Sequence, residues 1–124
     1  MLIQELMTRR TDIHLLTARD GYSGIEIARL AQPDLILMDI NLPDISGTEA
    51  MIILAKYAIT EHIPVIALSA NAIPQDIEKA LKAGFFRYLT KPIIVNDFMS
   101  TLDLTLEYVA RKSLQTEVQT EKIV

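Results

Sequence analysis

Three polar residues stand at or just past the ends of short apolar runs, and together they could carry phosphoryl chemistry. They are Asp39, Ser69 and Lys91. A carboxylate can act as a nucleophile, a lysine ammonium can neutralise phosphate charge, and a hydroxyl can donate to a phosphoryl oxygen. Because phosphoryl transfer depends mainly on positioning and charge neutralisation, this set predicts a site that forms an aspartyl phosphate.

The elements that must position these residues are short strands alternating with amphipathic helices. Strand candidates lie at 12–18, 35–38, 65–68 and 86–89. Such alternation implies βαβ units, a parallel sheet with helices on both faces, and a site beyond the carboxyl ends of the strands. We therefore predict a three-layer α/β/α fold. Asp44 is a candidate cap for the helix that begins near Gly47.

The composition limits the class of protein. The 124 residues fit one domain, which we place at 1–112, with 113–124 as a tail or linker. The net charge of −4 argues against direct binding to nucleic acid. The sequence has no cysteine, which excludes a disulfide scaffold, a thiol nucleophile and a Cys-ligated zinc site. It shows no apolar run long enough to span a membrane and no signal peptide, so we expect a cytoplasmic location.

Three segments, in this order along the chain, resemble the response-regulator receiver domains of two-component systems. They are LILMDINLP at 35–43 with Gly47, PVIALSA at 64–70 and YLTKP at 88–92. The residues before the lysine are similar to those of receivers attached to hybrid histidine kinases. The resemblance implies a flavodoxin-like parallel sheet.

The resemblance also implies a role for each site residue. Asp39 would be the phosphoacceptor, and the backbone carbonyl of Asn41 would join Asp39 in binding Mg²⁺. Ser69 and Tyr88 would be the switch residues that turn inward on phosphorylation. Lys91 would pair with the phosphate, and the Lys91–Pro92 peptide bond would be cis.

The implied function is a phosphorelay module that takes a phosphoryl group from a kinase histidine, or from a phosphotransfer protein, onto Asp39. It would signal through an output face at 74–112, and its only reactions would be its own phosphorylation and dephosphorylation. A homodimer through the sheet edge or the output face stays open. A second hypothesis is a pseudoreceiver that binds proteins independently of phosphorylation. A third is a phosphohydrolase resembling the haloacid dehalogenases, but Asn41 stands where those enzymes have a general acid.

One departure from the family pattern concerns the first strand. Receivers begin with an apolar strand that ends in two acidic residues holding Mg²⁺, whereas this sequence starts in what reads as the first helix, at 2–10. We therefore expect the acidic pair to be absent and Mg²⁺ binding to be weak. Either a lost beginning or a misplaced start codon would explain the difference. The empty place in the sheet would be closed by its neighbours, filled by a partner chain, or filled by the segment near Lys122.

Overall fold

The computed structural model describes residues 6–7, 10–112 and 121–123, and these form an alternating β/α fold. The elements are β1 His14–Leu16, α1 Gly21–Ala31, β2 Leu35–Asp39, α2 Gly47–Ala55, β3 Val65–Ser69, α3 Pro74–Ala83, β4 Arg87–Thr90, α4 Val95–Lys112 and β5 Glu121–Ile123. All four predicted strands are present, although β1 is shorter than the predicted 12–18. Of the predicted helix at 2–10, Leu6 and Met7 are helical, Arg10 is not, and the other residues lie outside the described part of the chain.

The strands form one parallel sheet in the order β1-β5-β2-β3-β4. This arrangement confirms the predicted flavodoxin-like α/β class, in which ligands bind beyond the carboxyl ends of the strands. β5 lies between β1 and β2. Of the three outcomes considered for that place, the structure shows the insertion of the chain's own C-terminal segment. The remaining residues of the predicted tail, 113–120 and 124, lie outside the described residues.

Two apolar layers cover the sheet. On one face, α1, α2 and α3 pack against alternate residues of β2 and β3, including Ile36 and Met38. On the other face, α4 and the helical Leu6 and Met7 pack against the intervening strand residues; the α4 contacts are Phe98 and Leu102. Because β2 and β3 are covered on both faces, their sequences are continuously apolar up to the polar residue that ends each one.

Side-chain caps fix where the first two helices begin. Asp20 caps α1 by accepting a hydrogen bond from the Ser23 N–H over 2.8 Å. Ser46 caps α2 by accepting from the Glu49 N–H over 3.1 Å. The prediction that Asp44 caps α2 is therefore wrong, since a better-placed hydroxyl lies directly before the helix.

Candidate functional site

Asp39 and Lys91 form an ion pair at the carboxyl edge of the sheet. Lys91 Nζ donates to Asp39 Oδ2 over 2.5 Å, and the Asn41 N–H donates to Asp39 Oδ1 over 2.9 Å. The two charged side chains are 36% and 40% exposed, so a donor molecule can reach the carboxylate from solvent. The site therefore presents an oriented, accessible carboxylate beside one positive charge.

The backbone around Lys91 follows the register of the neighbouring strands. β3 pairs with β4 through Ser69 and Thr90, and the Lys91 N–H continues this ladder by donating to the Ser69 carbonyl over 2.8 Å. The Lys91–Pro92 peptide bond is cis, as the resemblance implies. These contacts bring a residue 52 positions away in sequence against Asp39.

Gly47, the first residue of α2, packs against the backbone that carries Asp39. Its N–H donates to the Ile40 carbonyl over 2.8 Å. A Cβ at this position would lie 2.8 Å from Ile40 Cα and 2.9 Å from the Asp39 carbonyl oxygen. Because both neighbours are main-chain atoms that cannot swing away, only glycine fits there. Gly47 belongs to the sequence motif, but this packing role was not predicted.

Asn71 links the two predicted switch residues through its main chain. Its N–H donates to Ser69 Oγ over 3.1 Å, and its carbonyl accepts from the Tyr88 hydroxyl over 2.8 Å. Its side chain accepts from the Ile73 N–H over 2.8 Å and donates to Asp76 Oδ2 over 2.5 Å. Sequence reasoning missed this residue. The available signal was an asparagine three residues before the proline that starts α3. Asparagine is common in loops, where its side chain often hydrogen-bonds to the backbone two residues further on.

A groove of about 540 Å³ opens beside these residues. Asn41, Ser69, Asn71 and Tyr88 line it together with α2 and α3 residues. Ser69 is only 3% exposed, and its hydroxyl bonds to the loop after β3. The structure thus pairs Asp39 with both the Lys91 ammonium and the Asn41 N–H. It joins Ser69 to Lys91 through the backbone and to Tyr88 through Asn71.

The residues that the structure describes do not complete a magnesium site. Mg²⁺ favours octahedral oxygen coordination, usually with one or two carboxylates and several waters. Asp39 offers one carboxylate, which is already paired with Lys91. Within the part of the chain that the structure describes, no three His, Cys, Asp or Glu residues form a group that could hold a metal ion. The early acids Asp20 and Asp44 instead bond to backbone N–H groups at the start of α1.

Asp44 holds the N-terminus of α1 against the loop after β2. Its carboxylate accepts from the Gly21 N–H over 2.8 Å, the Tyr22 N–H over 2.9 Å and the Ile45 N–H over 2.8 Å. Desolvation raises the pKa of Asp44, but the backbone donors at Tyr22, Gly21 and Ile45 outweigh it, and the pKa lies below its ordinary value. Protonation of the Asp44 carboxylate in acid therefore weakens these three hydrogen bonds.

Comparison with known proteins identifies the family. Residues 1–103 match the response regulator receiver domain family. The chain is 41% identical over 87 residues to the polar-differentiation response regulator DivK of Brucella anthropi, an alignment that covers 70% of this chain and 71% of DivK. This chain therefore belongs to the response regulator receiver domain family, which confirms the resemblance seen in the sequence.

Solved structures show the same fold. A signal receiver domain from Vibrio parahaemolyticus superposes with a TM-score of 0.83 at 20% identity, covering 93% of this chain and 86% of that one. The receiver domain of a sensor histidine kinase from Pseudomonas aeruginosa, which holds a magnesium ion in its active-site cleft, has a TM-score of 0.75 at 30% identity, with 85% of each chain covered. The chain is thus a receiver domain of two-component signalling. Its described helices include none with the length and apolar character needed to cross a bilayer.

Proposed function

We propose that Asp39 accepts a phosphoryl group from the phosphohistidine of a histidine kinase or phosphotransfer protein. The observation that carries this proposal is the accessible Asp39 carboxylate held 2.5 Å from Lys91 Nζ at the carboxyl edge of the sheet. An Asp39 oxygen attacks the phosphorus as the P–N bond to histidine breaks, and the departing imidazole nitrogen keeps the electron pair. Lys91 offsets the negative charge that collects on the phosphoryl oxygens.

Signal output follows from the hydrogen bonds around Asn71. A phosphoryl group on Asp39 offers new acceptor oxygens near the end of β3, and the Ser69 hydroxyl can donate to one of them. That movement breaks the 3.1 Å bond from the Asn71 N–H to Ser69 Oγ. The loop that then shifts also holds the Tyr88 hydroxyl, so Tyr88 and the output face at 74–112 respond to the same event. The phosphoryl group shifts the balance between the original and the moved arrangement only by the difference in its interaction free energy with the two.

The sequence supports a protein partner more than a nucleic acid, because the net charge is −4. Kinase or phosphotransfer partners fit the family membership of the chain. The second candidate function is a phosphorylation-independent interaction module. It is favoured by the incomplete magnesium site. Among the described residues, Asp39 supplies the carboxylate of that site, and one of its oxygens is already paired with Lys91.

Intact-mass spectrometry after incubation with acetyl phosphate and Mg²⁺ separates the two functions. We expect a single phosphoryl adduct on the wild type and none on Asp39→Asn. Asp97→Asn is the matched control, since Asp97 is an exposed carboxylate in the first turn of α4, and it should retain the adduct. Circular dichroism confirms that each variant is folded. A folded wild-type chain without an adduct would contradict the proposal and favour the interaction module.

A further inference from the structure

Lys79 places a positive charge at the groove beside the phosphoacceptor. It lies on α3, it is exposed, and it borders the groove together with Asn41 and Ser69. Another lysine of the same helix, Lys82, pairs with Glu78 over 3.0 Å. Lys79 has no such partner, because none of the ion pairs among the described residues includes it. Its ammonium is therefore available to a molecule that enters the groove.

The contacts of Asp76 explain why Lys79 is unpaired. Residues three apart on a helix are neighbours, so the Asp76 carboxylate could pair with Lys79. That carboxylate is bonded elsewhere, because Asn71 Nδ2 donates to Asp76 Oδ2 over 2.5 Å. The orientation of Asn71 is in turn fixed by its Oδ1, which accepts from the Ile73 N–H over 2.8 Å. The loop after β3 thus engages the nearest carboxylate on α3 and leaves the Lys79 ammonium to the groove.

The groove borders the position that a phosphodonor must occupy. Ile40 and Asn41 follow Asp39 directly in the chain, and both line the groove. Two alanines, Ala70 and Ala80, form part of the lining, so short side chains leave its volume of about 540 Å³ open. The part of a donor that is not transferred can therefore lie in the groove while its phosphoryl group is at Asp39.

The charges around Asp39 give an unpaired cation a clear use. Lys91 Nζ is already paired with Asp39 Oδ2 over 2.5 Å, and the whole chain carries a net charge of −4. An anionic donor therefore meets a neutral ion pair on an acidic protein. A cation of the opposite sign at the edge of such a site steers the donor and fixes which donors are accepted.

We propose that Lys79 is a specificity-determining residue, which selects phosphodonors that carry a carboxylate beside the transferred phosphoryl group. The inference rests on the proposed role of Asp39 as the phosphoacceptor. The carboxylate belongs either to a small acyl phosphate or to an acidic side chain near the phosphohistidine of a protein donor, and both sources offer the same anion to the same ammonium. Lysine suits this task because its compact charge stands on a flexible stem that can follow the donor.

Titration with phosphonates tests the inference on the full chain, because phosphonates bind without transferring their phosphorus. The probes are methylphosphonate, phosphonoacetate with its carboxylate close to the phosphorus, and phosphonobutyrate with its carboxylate further away, all at constant ionic strength. Amide chemical shifts of Asn41, Ser69 and Ala80 report binding in the groove. The variants are Lys79→Gln, which removes the charge, and Lys79→Arg, which retains it. Lys82→Gln is the matched control, since Lys82 is an exposed lysine of the same helix.

We expect the wild type to bind one of the two carboxylate probes about three- to fivefold more tightly than methylphosphonate, the effect of one partly exposed charge pair. Lys79→Gln should lose this preference, whereas Lys79→Arg and Lys82→Gln should keep it. A preference for phosphonoacetate supports a small acyl phosphate as the donor, and a preference for phosphonobutyrate supports a carboxylate on a protein donor.

Three results would overturn the proposal: equal affinities of the wild type for all three probes, an unchanged preference in Lys79→Gln, or no binding of any probe. Loss of the preference in Lys79→Arg or in Lys82→Gln would overturn it as well. Phosphorylation by acetyl phosphate, measured on the same samples, tests the role of Asp39 separately, so a failure of the proposed function is distinguished from a failure of this inference.

Discussion

The Tyr88 hydroxyl donates to the main-chain carbonyl of Asn71 over 2.8 Å, so β4 is tied to the loop that follows β3. The same residue, Asn71, donates its N–H to Ser69 Oγ. The two side chains that the family resemblance assigns to the switch are thus connected through one peptide segment rather than through each other. We therefore predict that a change at Ser69 reaches Tyr88 through movement of that segment.

Replacing Tyr88 by Phe removes the hydroxyl and retains the ring. We expect the free energy of unfolding to fall by about 1 kcal/mol, the typical net contribution of one hydrogen bond. Urea denaturation measures the change. Tyr22→Phe is the matched control, because Tyr22 is 58% exposed, and its effect should be under about 0.5 kcal/mol. Equal effects of the two substitutions would contradict the importance of the Asn71 contact.

Gly47 and Gly24 make a second matched pair. Gly47→Ala would place a Cβ 2.8 Å from Ile40 Cα, and we expect destabilisation by roughly 1–3 kcal/mol together with a displaced Asp39. Gly24→Ala, inside α1, meets only Ala18 Cβ at 3.6 Å, so it should stabilise by roughly 0.5–1 kcal/mol. Thermal or urea unfolding of both variants tests the prediction. A neutral Gly47→Ala would show that the backbone behind Asp39 is not closely packed.

We predict that Asp44 makes part of the folding stability sensitive to acid. Its pKa is lowered in the folded chain, so its contribution is present above the ordinary carboxylate pKa of about 4 and is lost as the pH falls through the lowered value. Asp44→Asn should therefore lower stability at neutral pH and have little effect at the acid end. Chemical denaturation across a pH series measures both. A constant difference between variant and wild type at every pH would contradict this account.

We predict that Lys91 limits the affinity of the site for Mg²⁺. Its ammonium occupies Asp39 Oδ2 and repels a second cation, so the wild type should not saturate at millimolar Mg²⁺. Lys91→Met should tighten binding, whereas Lys82→Met, which removes an exposed lysine paired with Glu78, should not. Amide chemical shifts of Asp39 and Asn41 during a Mg²⁺ titration report the difference. Tight binding to the wild type would contradict the interpretation that the site is incomplete.

The apolar strands were predictable because parallel strands with helices packed on both faces are continuous apolar runs in the sequence. The contact between Asp39 and Lys91 was predictable because parallel strands end at the same edge. The position of β5 could only be given as one of three outcomes, because a short charged segment carries no strand pattern. Which strands it pairs with depends on the rest of the sheet. The roles of Asn71 and Asp44 depend on loop geometry, which connects residues without any periodic signal in the sequence.

The most direct test is to locate the phosphoryl group chemically. Borohydride reduces an aspartyl phosphate to homoserine, so treatment of the phosphorylated chain followed by peptide mapping reads out the acceptor. We predict homoserine at position 39 and at no other position, with phosphate lost from the protein. Homoserine at another aspartate, or a phosphate that survives reduction on a hydroxyl such as that of Ser69, would contradict the assignment of Asp39 as the phosphoacceptor.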